Sequence, residues 1–174
     1  ALAPGEACYI PLGHKENAEA DLFATDALAE GQMPMDRALA LLKPLLEDES
    51  VLKVLQNAKY DYKILARNGI DLHPVDDTML ISYAQHAGLH GHGMDALAER
   101  YLTHTCIPIK ELIGTGKSQI TFDKVPVDKA VRYAAEDADV TFRLHEMLKP
   151  RLHRAKVTTV YETLERPLIA VLAR

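Results

Sequence analysis

The sequence predicts an α/β fold, and two observations lead to that prediction. Short apolar segments of strand length alternate with longer segments in which apolar residues have helical spacing. Only two strand-length segments are convincing, 6–12 and 51–56, and two strands make a poor sheet. The first lies close to the beginning of the sequence, and the last helical segment stops within its pattern. We therefore expect a piece of a longer protein, with further sheet strands upstream of Ala1.

The composition is that of an ordinary globular domain. The chain has 174 residues, a length sufficient for one domain with a core. Its residues are 48% hydrophobic and 26% charged, as is usual for a globular protein. No run of about 18 apolar residues is present, so we expect no membrane-spanning segment. The sequence shows no secretion signal. Cys8 and Cys106 are far apart, which indicates free thiols of a reducing compartment rather than a disulfide framework.

The net charge of −5 limits the class of nucleic-acid partner. Such a charge argues against a protein that coats duplex nucleic acid by neutralising its phosphates. It is compatible with an enzyme that contacts a few phosphates through bound metal ions.

The predicted elements follow one another with turn or cap residues between them. They are a strand over 6–12, an alanine-rich polar excursion over 14–33, a helix over 37–46, a strand over 51–56, and helices over 57–69, 77–85, 94–103, 127–149 and 157–174. Asp36 and Asn57 are placed to cap their helices, and Pro44 is expected to kink or shorten the first one. Gly69 provides the left-handed residue with which helices commonly end. Asp76 or Asp77 is expected to cap the following helix.

Two acidic residues occupy otherwise apolar helical faces. Asp137 shares a stripe with Tyr133, Val140, Leu144 and Leu148, whereas Glu136 and its polar neighbours are predicted to face solvent. Asp61 lies on an apolar face of the helix that follows Asn57. A buried carboxylate is unfavourable unless it has a partner, and a cation is one such partner. The pattern suggests a metal site between two helices, but on the residues alone core acids satisfied by local hydrogen bonds are the more common case.

Three short segments resemble motifs of a known family. QNAKYD (56–61), DTML (77–80) and YAAED (133–137) are similar to the second and third exonuclease motifs of bacterial family A DNA polymerases. The resemblance is continuous over residues 7–174 and includes LLKPLLEDE (41–49), MDALAER (94–100) and the Gly-Lys loop at 116–117. It implies a ribonuclease-H-like exonuclease fold with a mixed central sheet flanked by helices. Residues 1–155 would form the exonuclease domain and 156–174 a helix leading into a polymerase domain.

The same resemblance implies a proofreading 3′–5′ exonuclease. In that family two divalent metals, Mg²⁺ or Mn²⁺, are held by four carboxylates, and such metals favour oxygen ligands. The matching residues here are Asp61 and Asp137 as ligands, with Tyr133 beside them. Gln56, Asn57 and Tyr60 would lie near the terminal nucleotides. The implied partners are a single-stranded 3′ end of DNA and the polymerase domain of the same parent chain, in the cytoplasm of a bacterium and associated with the nucleoid.

The roles of the individual side chains follow from their chemistry. A phenol has an ordinary pKa of about 10 and is a weak base at neutral pH. We therefore expect Tyr133 to orient the attacking water while the metal activates it. An aromatic ring such as that of Tyr60 stacks on a frayed base of any identity. His90 and His92 are predicted to lie in a solvated loop, without a zinc site.

One expected motif is missing, and two other functions compete. The family's first motif, Asp-x-Glu on the first strand, is not found before Asp61. We therefore expect this chain to be inactive, or nearly so, on its own. The competing functions are an RNA exonuclease resembling ribonuclease D and a scaffold without catalytic activity. Retention of Asp61, Tyr133 and Asp137 argues against the scaffold.

Overall fold

A computed structural model describes residues 1–15 and 28–173. Helices and two short strands alternate along these residues. In chain order they are α1 (Met35–Leu46), β1 (Lys53–Leu55), α2 (Ala58–Arg67), β2 (Val75–Asp77), α3 (Thr78–His86), α4 (Met94–Leu102), α5 (Ile109–Ile113), α6 (Val127–Leu148), α7 (Arg151–Arg154), α8 (Thr158–Val160) and α9 (Arg166–Leu172). A π-helical turn, Tyr161–Glu165, joins α8 to α9. The predicted α/β class is confirmed, and among the described helices none is long and apolar enough to cross a lipid bilayer.

The strands β1 and β2 pair in parallel, with α2 between them in the chain. Lys53, Val54 and Leu55 lie opposite Val75, Asp76 and Asp77. The sequence pattern predicted β1 but not β2, because two of the three residues of β2 are aspartates, which are depleted in strands. Each of these aspartates accepts hydrogen bonds from outside the sheet, Asp76 from Tyr161 and Asp77 from the start of α2.

The strand predicted over 6–12 is wrong. Within that segment only Glu6 pairs, in an isolated antiparallel bridge with Ala3. Pro11 lacks a backbone donor, and no described strand lies alongside to pair with this segment. Most of the excursion predicted over 14–33 lies outside the described residues, although Lys15 and Leu28 form a second isolated bridge.

The predicted ends of the first helices differ in detail from the structure. Helix α1 begins at Met35, with Pro34 before it, so Asp36 lies in the first turn and does not cap the helix. Pro44 lies within α1, which nevertheless reaches Leu46 as predicted. Gly69 has the left-handed conformation that was expected of it, with φ of +72°.

The apolar core lies between α3, α4, α6 and the C-terminal helical segment. Its buried residues are Ile81, Leu97, Ala98, Cys106, Val140, Leu144, Leu148, Leu152 and Tyr161. The stripe predicted on α6 therefore faces this core, since Val140, Leu144 and Leu148 are fully buried. Nearer the start of the same helix, Tyr133 and Asp137 are only half-buried. Helix α6 thus carries the site residues on its first half and core residues on its second.

Candidate metal centre

One cleft of about 580 Å³ brings together the two acids predicted to bind metal. Asp61 contributes from α2, Asp137 from α6, and Gln56 from the residue after β1. Most of the remaining lining is apolar, from β1 and the adjacent helices. Two carboxylates therefore share one cleft with largely apolar walls, and such walls strengthen the attraction of a carboxylate for a cation.

The Asp137 carboxylate has one buried oxygen without a hydrogen-bond partner among the described residues. Burial raises the pKa of Asp137 to about 6, the negative charges of Glu136 and Asp95 act in the same direction, and a hydrogen bond with Tyr133 opposes them. The Oδ1 atom is buried, and no hydrogen-bond donor among the described residues reaches it. A buried oxygen without a partner carries a large desolvation cost, which a bound cation removes.

Asp61 has surroundings of the same kind but is less perturbed. Burial raises the pKa of Asp61, its own backbone amide lowers it, and the negative charge of Asp77 raises it further. The two acids thus line one cleft, and burial disfavours the charged form of each. Hard oxygen ligands of this type suit Mg²⁺ or Mn²⁺, so the residues present fit a divalent cation.

Tyr133 keeps its proton at neutral pH. Burial raises the pKa of this phenol to about 12, and the charge of Asp137 and the hydrogen bond to it contribute further. The ring also lies near that of Phe122, with 6.0 Å between the ring centroids. A protonated hydroxyl beside Asp137 can donate a hydrogen bond but cannot accept a proton as a base.

The start of α2 is capped by Asp77 and not by the residue predicted to do so. Asn57 has a left-handed backbone, with φ of 61° and ψ of 49°, and its side chain makes no capping hydrogen bond. The Asp77 carboxylate accepts hydrogen bonds from the backbone N–H groups of Asn57 (3.0 Å) and Ala58 (2.8 Å). It also accepts one from Met79 at the start of α3, at 2.9 Å, as was predicted for a cap of that helix.

The three residues expected near a nucleic-acid substrate differ in their surroundings. The Gln56 amide donates to the His92 carbonyl oxygen at 2.9 Å and accepts from the Thr78 hydroxyl. Asn57 is exposed, and the Tyr60 ring is 65% exposed. Gln56 is therefore held in place at the cleft, whereas Tyr60 presents an open aromatic face.

Two acids near Asp137 were not recognised from the sequence. Asp95, in the first turn of α4, adds negative charge near Asp137 and Tyr133. Glu136 was predicted to face solvent, and this is wrong: its carboxylate contacts His104 Nε2 at 2.8 Å and the Ile107 N–H at 2.7 Å. Both partners come from the loop after α4, and no helical spacing indicates that a loop will cover this side of α6.

A second buried acid, Asp76 in β2, has a complete set of partners. Its carboxylate lies 2.8 Å from His145 Nε2, 2.9 Å from Lys149 Nζ and 3.3 Å from Arg166 Nε, and accepts a hydrogen bond from the Tyr161 hydroxyl at 3.0 Å. These partners come from α6 and from the C-terminal helical segment. The cluster joins the sheet to both helical segments, and it was not predicted.

Comparison with known proteins agrees with this architecture. DNA polymerase I of Rhizobium leguminosarum is 59% identical over 168 residues, which is 97% of this chain but 16% of that protein. A solved structure of Pol1 from M. smegmatis, in complex with DNA primer-template and dNTP, is 25% identical with a TM-score of 0.64, and the match covers 81% of this chain and 21% of that one. Brucella melitensis NrnC shares the fold, with a TM-score of 0.60 over 76% of this chain and 60% of that one, at 23% identity.

The chain thus spans about a sixth of the length of that polymerase relative. A family model described as 3′–5′ exonuclease matches residues 1–153, which is most of the chain. The chain therefore belongs to this 3′–5′ exonuclease family.

Proposed function

We propose that this chain acts as the 3′–5′ exonuclease domain of a DNA polymerase I. Within the longer polymerase that carries it, the chain would remove nucleotides from the 3′ end of DNA with Mg²⁺ or Mn²⁺, for which Asp61 and Asp137 would provide two of the ligands. The observation that carries the proposal is the Oδ1 of Asp137, which is buried in the cleft that Asp61 also lines and has no hydrogen-bond partner in the part of the chain that the structure describes. A carboxylate whose only role was structural would have its hydrogen bonds satisfied.

The roles of the side chains follow from their surroundings. Asp61 and Asp137 would hold the divalent cation, which would supply the activation of water and the stabilisation of the leaving oxygen. Tyr133, which is protonated at neutral pH, donates a hydrogen bond and orients the attacking water. Tyr60 offers its exposed ring for stacking on the terminal bases, with Gln56 and Asn57 beside it.

The substrate is proposed to be a frayed, single-stranded 3′ end. A mismatched end unpairs at lower energetic cost than a matched one, and this difference gives selectivity for errors. The polymerase domain of the same parent chain is the proposed physical partner, in the bacterial cytoplasm and near the nucleoid. The match of the family model to residues 1–153 supports a domain boundary near 155, with the helical segment from Thr158 onward leading into the polymerase domain.

The test uses the polymerase that carries this chain, with single-stranded DNA and RNA oligonucleotides of the same sequence. We expect stepwise shortening of the DNA from its 3′ end with Mg²⁺ or Mn²⁺, and none when the metal is chelated. Asp61→Asn and Asp137→Asn should each lose this activity and keep polymerisation. Asp71→Asn is the matched control, because the Asp71 side chain is 73% exposed.

Two outcomes would reject the proposal. Retained nuclease activity in both cleft variants would exclude the metal role of these acids. Faster degradation of the RNA than of the DNA would instead favour the ribonuclease-D-like alternative.

A further inference from the structure

Three side chains of different donor types converge near Asp137 but outside the cleft that Asp137 lines with Asp61. They are His104 and Cys106, in the loop between α4 and α5, and Glu136 on α6. One ligand atom from each of the three lies within 4.8 Å of the other two, and His104 Nε2 is 2.8 Å from Glu136 Oε1. Among the described residues this is the only such group of three or more histidine, cysteine or acidic side chains. We call it the His-Cys-Glu cluster.

The cluster is separate from the cleft that holds Asp61 and Asp137. None of its three residues lines that cleft. Glu136 and Asp137 are adjacent on α6, and successive residues of a helix point about 100° apart, so the two carboxylates serve different surfaces. A ligand bound by the cluster would therefore occupy a second site, beside the cleft and not within it.

The donor atoms select a different class of ion from the one that suits the cleft. Mg²⁺ and Mn²⁺ prefer oxygen ligands, whereas a set of one sulfur, one imidazole nitrogen and one carboxylate oxygen suits Zn²⁺. Zinc bonds are about 2.0 Å to nitrogen and oxygen and about 2.3 Å to sulfur. The three ligand atoms lie within 4.8 Å of one another, and they would move closer together to bind a single ion at these distances.

The backbone around the cluster holds its ligands in place. Thr103 ends α4 in the left-handed conformation, with φ of 52°, and the His104 N–H then bonds back to the Ala98 carbonyl at 3.2 Å. Glu136 Oε2 accepts from the Ile107 N–H at 2.7 Å, which leaves Oε1 directed toward His104. Outer-shell hydrogen bonds of this kind orient the ligands of metal sites.

The electrostatics of the cluster favour a cation. Burial raises the pKa of the Cys106 thiol to about 11, and the negative charges of Asp95, Glu136 and Asp137 raise it further, so a bound cation would offset the negative charge that gathers here. His104 is the one basic side chain of the cluster, and in its neutral form it is a good zinc ligand. The His104 side chain is 33% exposed, so an ion can enter from solvent along this side.

We propose that His104, Cys106 and Glu136 bind Zn²⁺ as a second metal site, distinct from the Asp61–Asp137 centre. Three protein ligands leave a fourth position for water, so this is an open site. A bound ion would replace the contact between His104 and Glu136 and would link the loop after α4 to α6. This inference does not depend on nuclease activity, because it concerns ion binding by residues outside the cleft.

The experiment is a titration of the whole chain with Co²⁺, a spectroscopic substitute for zinc, followed by displacement with Zn²⁺. A thiolate bound to Co²⁺ gives a charge-transfer band in the near ultraviolet, which carboxylate ligands do not give. We expect this band in the unmodified chain and its loss when Zn²⁺ displaces Co²⁺. Zn²⁺ should also raise the melting temperature, because an ion that binds only the folded state stabilises it.

Single-residue variants test which side chains bind the ion. Cys106→Ser should lose the band, whereas Cys8→Ser, which changes the exposed second cysteine, should keep it. Asp137→Asn should also keep it, which separates this site from the proposed nuclease centre. Because Cys106 is buried and its variant could unfold, His104→Asn provides the second test and should weaken or remove the band in a chain whose circular dichroism is unchanged.

The proposal is overturned if the unmodified chain gives no thiolate band. It is equally overturned if a folded Cys106→Ser or His104→Asn variant gives the same thiolate band as the unmodified chain. Removal of the band by Cys8→Ser would also overturn it.

Discussion

Asp76 and Asp137 are both carboxylates withdrawn from water, but their surroundings are opposite. Burial alone would raise the pKa of Asp76, yet the hydrogen bonds from His145 and Lys149 and the charge of Lys149 bring it well below 3.8. Burial raises the pKa of Asp137 to about 6, and Tyr133 only partly offsets the effect. Asp76 meets three basic side chains, whereas Asp137 keeps an oxygen without a partner among the described residues.

The difference separates a structural acid from a candidate functional one. A fully paired carboxylate holds the fold together, and removal of one partner leaves the others without compensation. A carboxylate that lacks partners reduces stability, and proteins retain such groups where a ligand supplies what is missing. Burial by itself therefore does not distinguish these two acids, whereas the partners of their oxygens do.

The largest expected effect is on stability. Asp76→Ala should lower the free energy of unfolding by about 3 kcal/mol, the lower end of the range for breaking a buried pair, because the three basic partners can reach water. Urea denaturation followed by circular dichroism measures this. Asp71→Ala, at an exposed position, should change the value by less than about 0.5 kcal/mol. Equal effects of the two variants would show that the Asp76 cluster does not hold the sheet to the helices.

Lowering the pH should cause part of the loss of stability that is expected for Asp76→Ala. Because the folded-state pKa of Asp76 is below 3.8, its stabilising contribution is present above about pH 3.8 and is lost as the pH falls through the lower, folded-state value. The groups that face Asp76 are His145, Lys149, Tyr161 and Arg166, with Glu162 bound to two of them.

Urea denaturation at a series of acidic pH values tests this expectation. Asp76→Asn should be less stable than the unmodified chain at neutral pH. The difference between the two should shrink as the pH falls. A difference that stays constant with pH would contradict the linkage.

Asp137→Asn should have the opposite combination of effects to Asp76→Ala, with a loss of activity but no loss of stability. We expect exonuclease activity to fall at least about 100-fold, the upper end of what loss of an outer-shell partner costs a metal site. The free energy of unfolding should stay the same or rise, because a neutral amide is cheaper to bury than an unpaired carboxylate. The measurements are single-turnover degradation of labelled DNA and urea denaturation of the same preparation. A large loss of stability would mean that Asp137 is a structural acid like Asp76.

Tyr133→Phe should have the smallest effect. Loss of the hydroxyl removes a hydrogen-bond donor but no charge, so we expect about a tenfold lower rate, the lower end of the outer-shell range. The pH dependence of the rate should not change, because the phenol, with its pKa of about 12, does not titrate near neutrality. Tyr60→Phe, at an exposed ring, is the matched control. A change in the pH profile would indicate that Tyr133 acts as a base.

Local patterns were a good guide to the helices and to the two cleft acids. The helical spacing placed Asp137 beside buried residues, and the structure has it half-buried with Val140 and Leu144 fully buried on the same helix. The same spacing assigned Glu136 to solvent, and this was wrong because a loop that begins at Thr103 covers it. Periodicity reports which side of a helix faces the core, but it says nothing about what packs on the other side.

The strands were predicted less well than the helices. The apolar segment over 6–12 has the composition of a strand but finds no partner strand among the described residues, whereas Val75–Asp77 is a strand with two aspartates. A helix closes its hydrogen bonds within itself, but a strand requires a second one, so composition is weaker evidence for strands.

Helix positions, the amphipathic face of α6 and the family resemblance could be read from the linear order of residues, because they depend on neighbours within a few positions. The partners of the charged groups could not. His145, Lys149, Tyr161 and Arg166 reach Asp76 across 69 to 90 positions of the chain, and His104 meets Glu136 across 32. Whether a buried carboxylate is paired, capping or left open to a cation depends on these distant contacts, and only the folded chain brings them together.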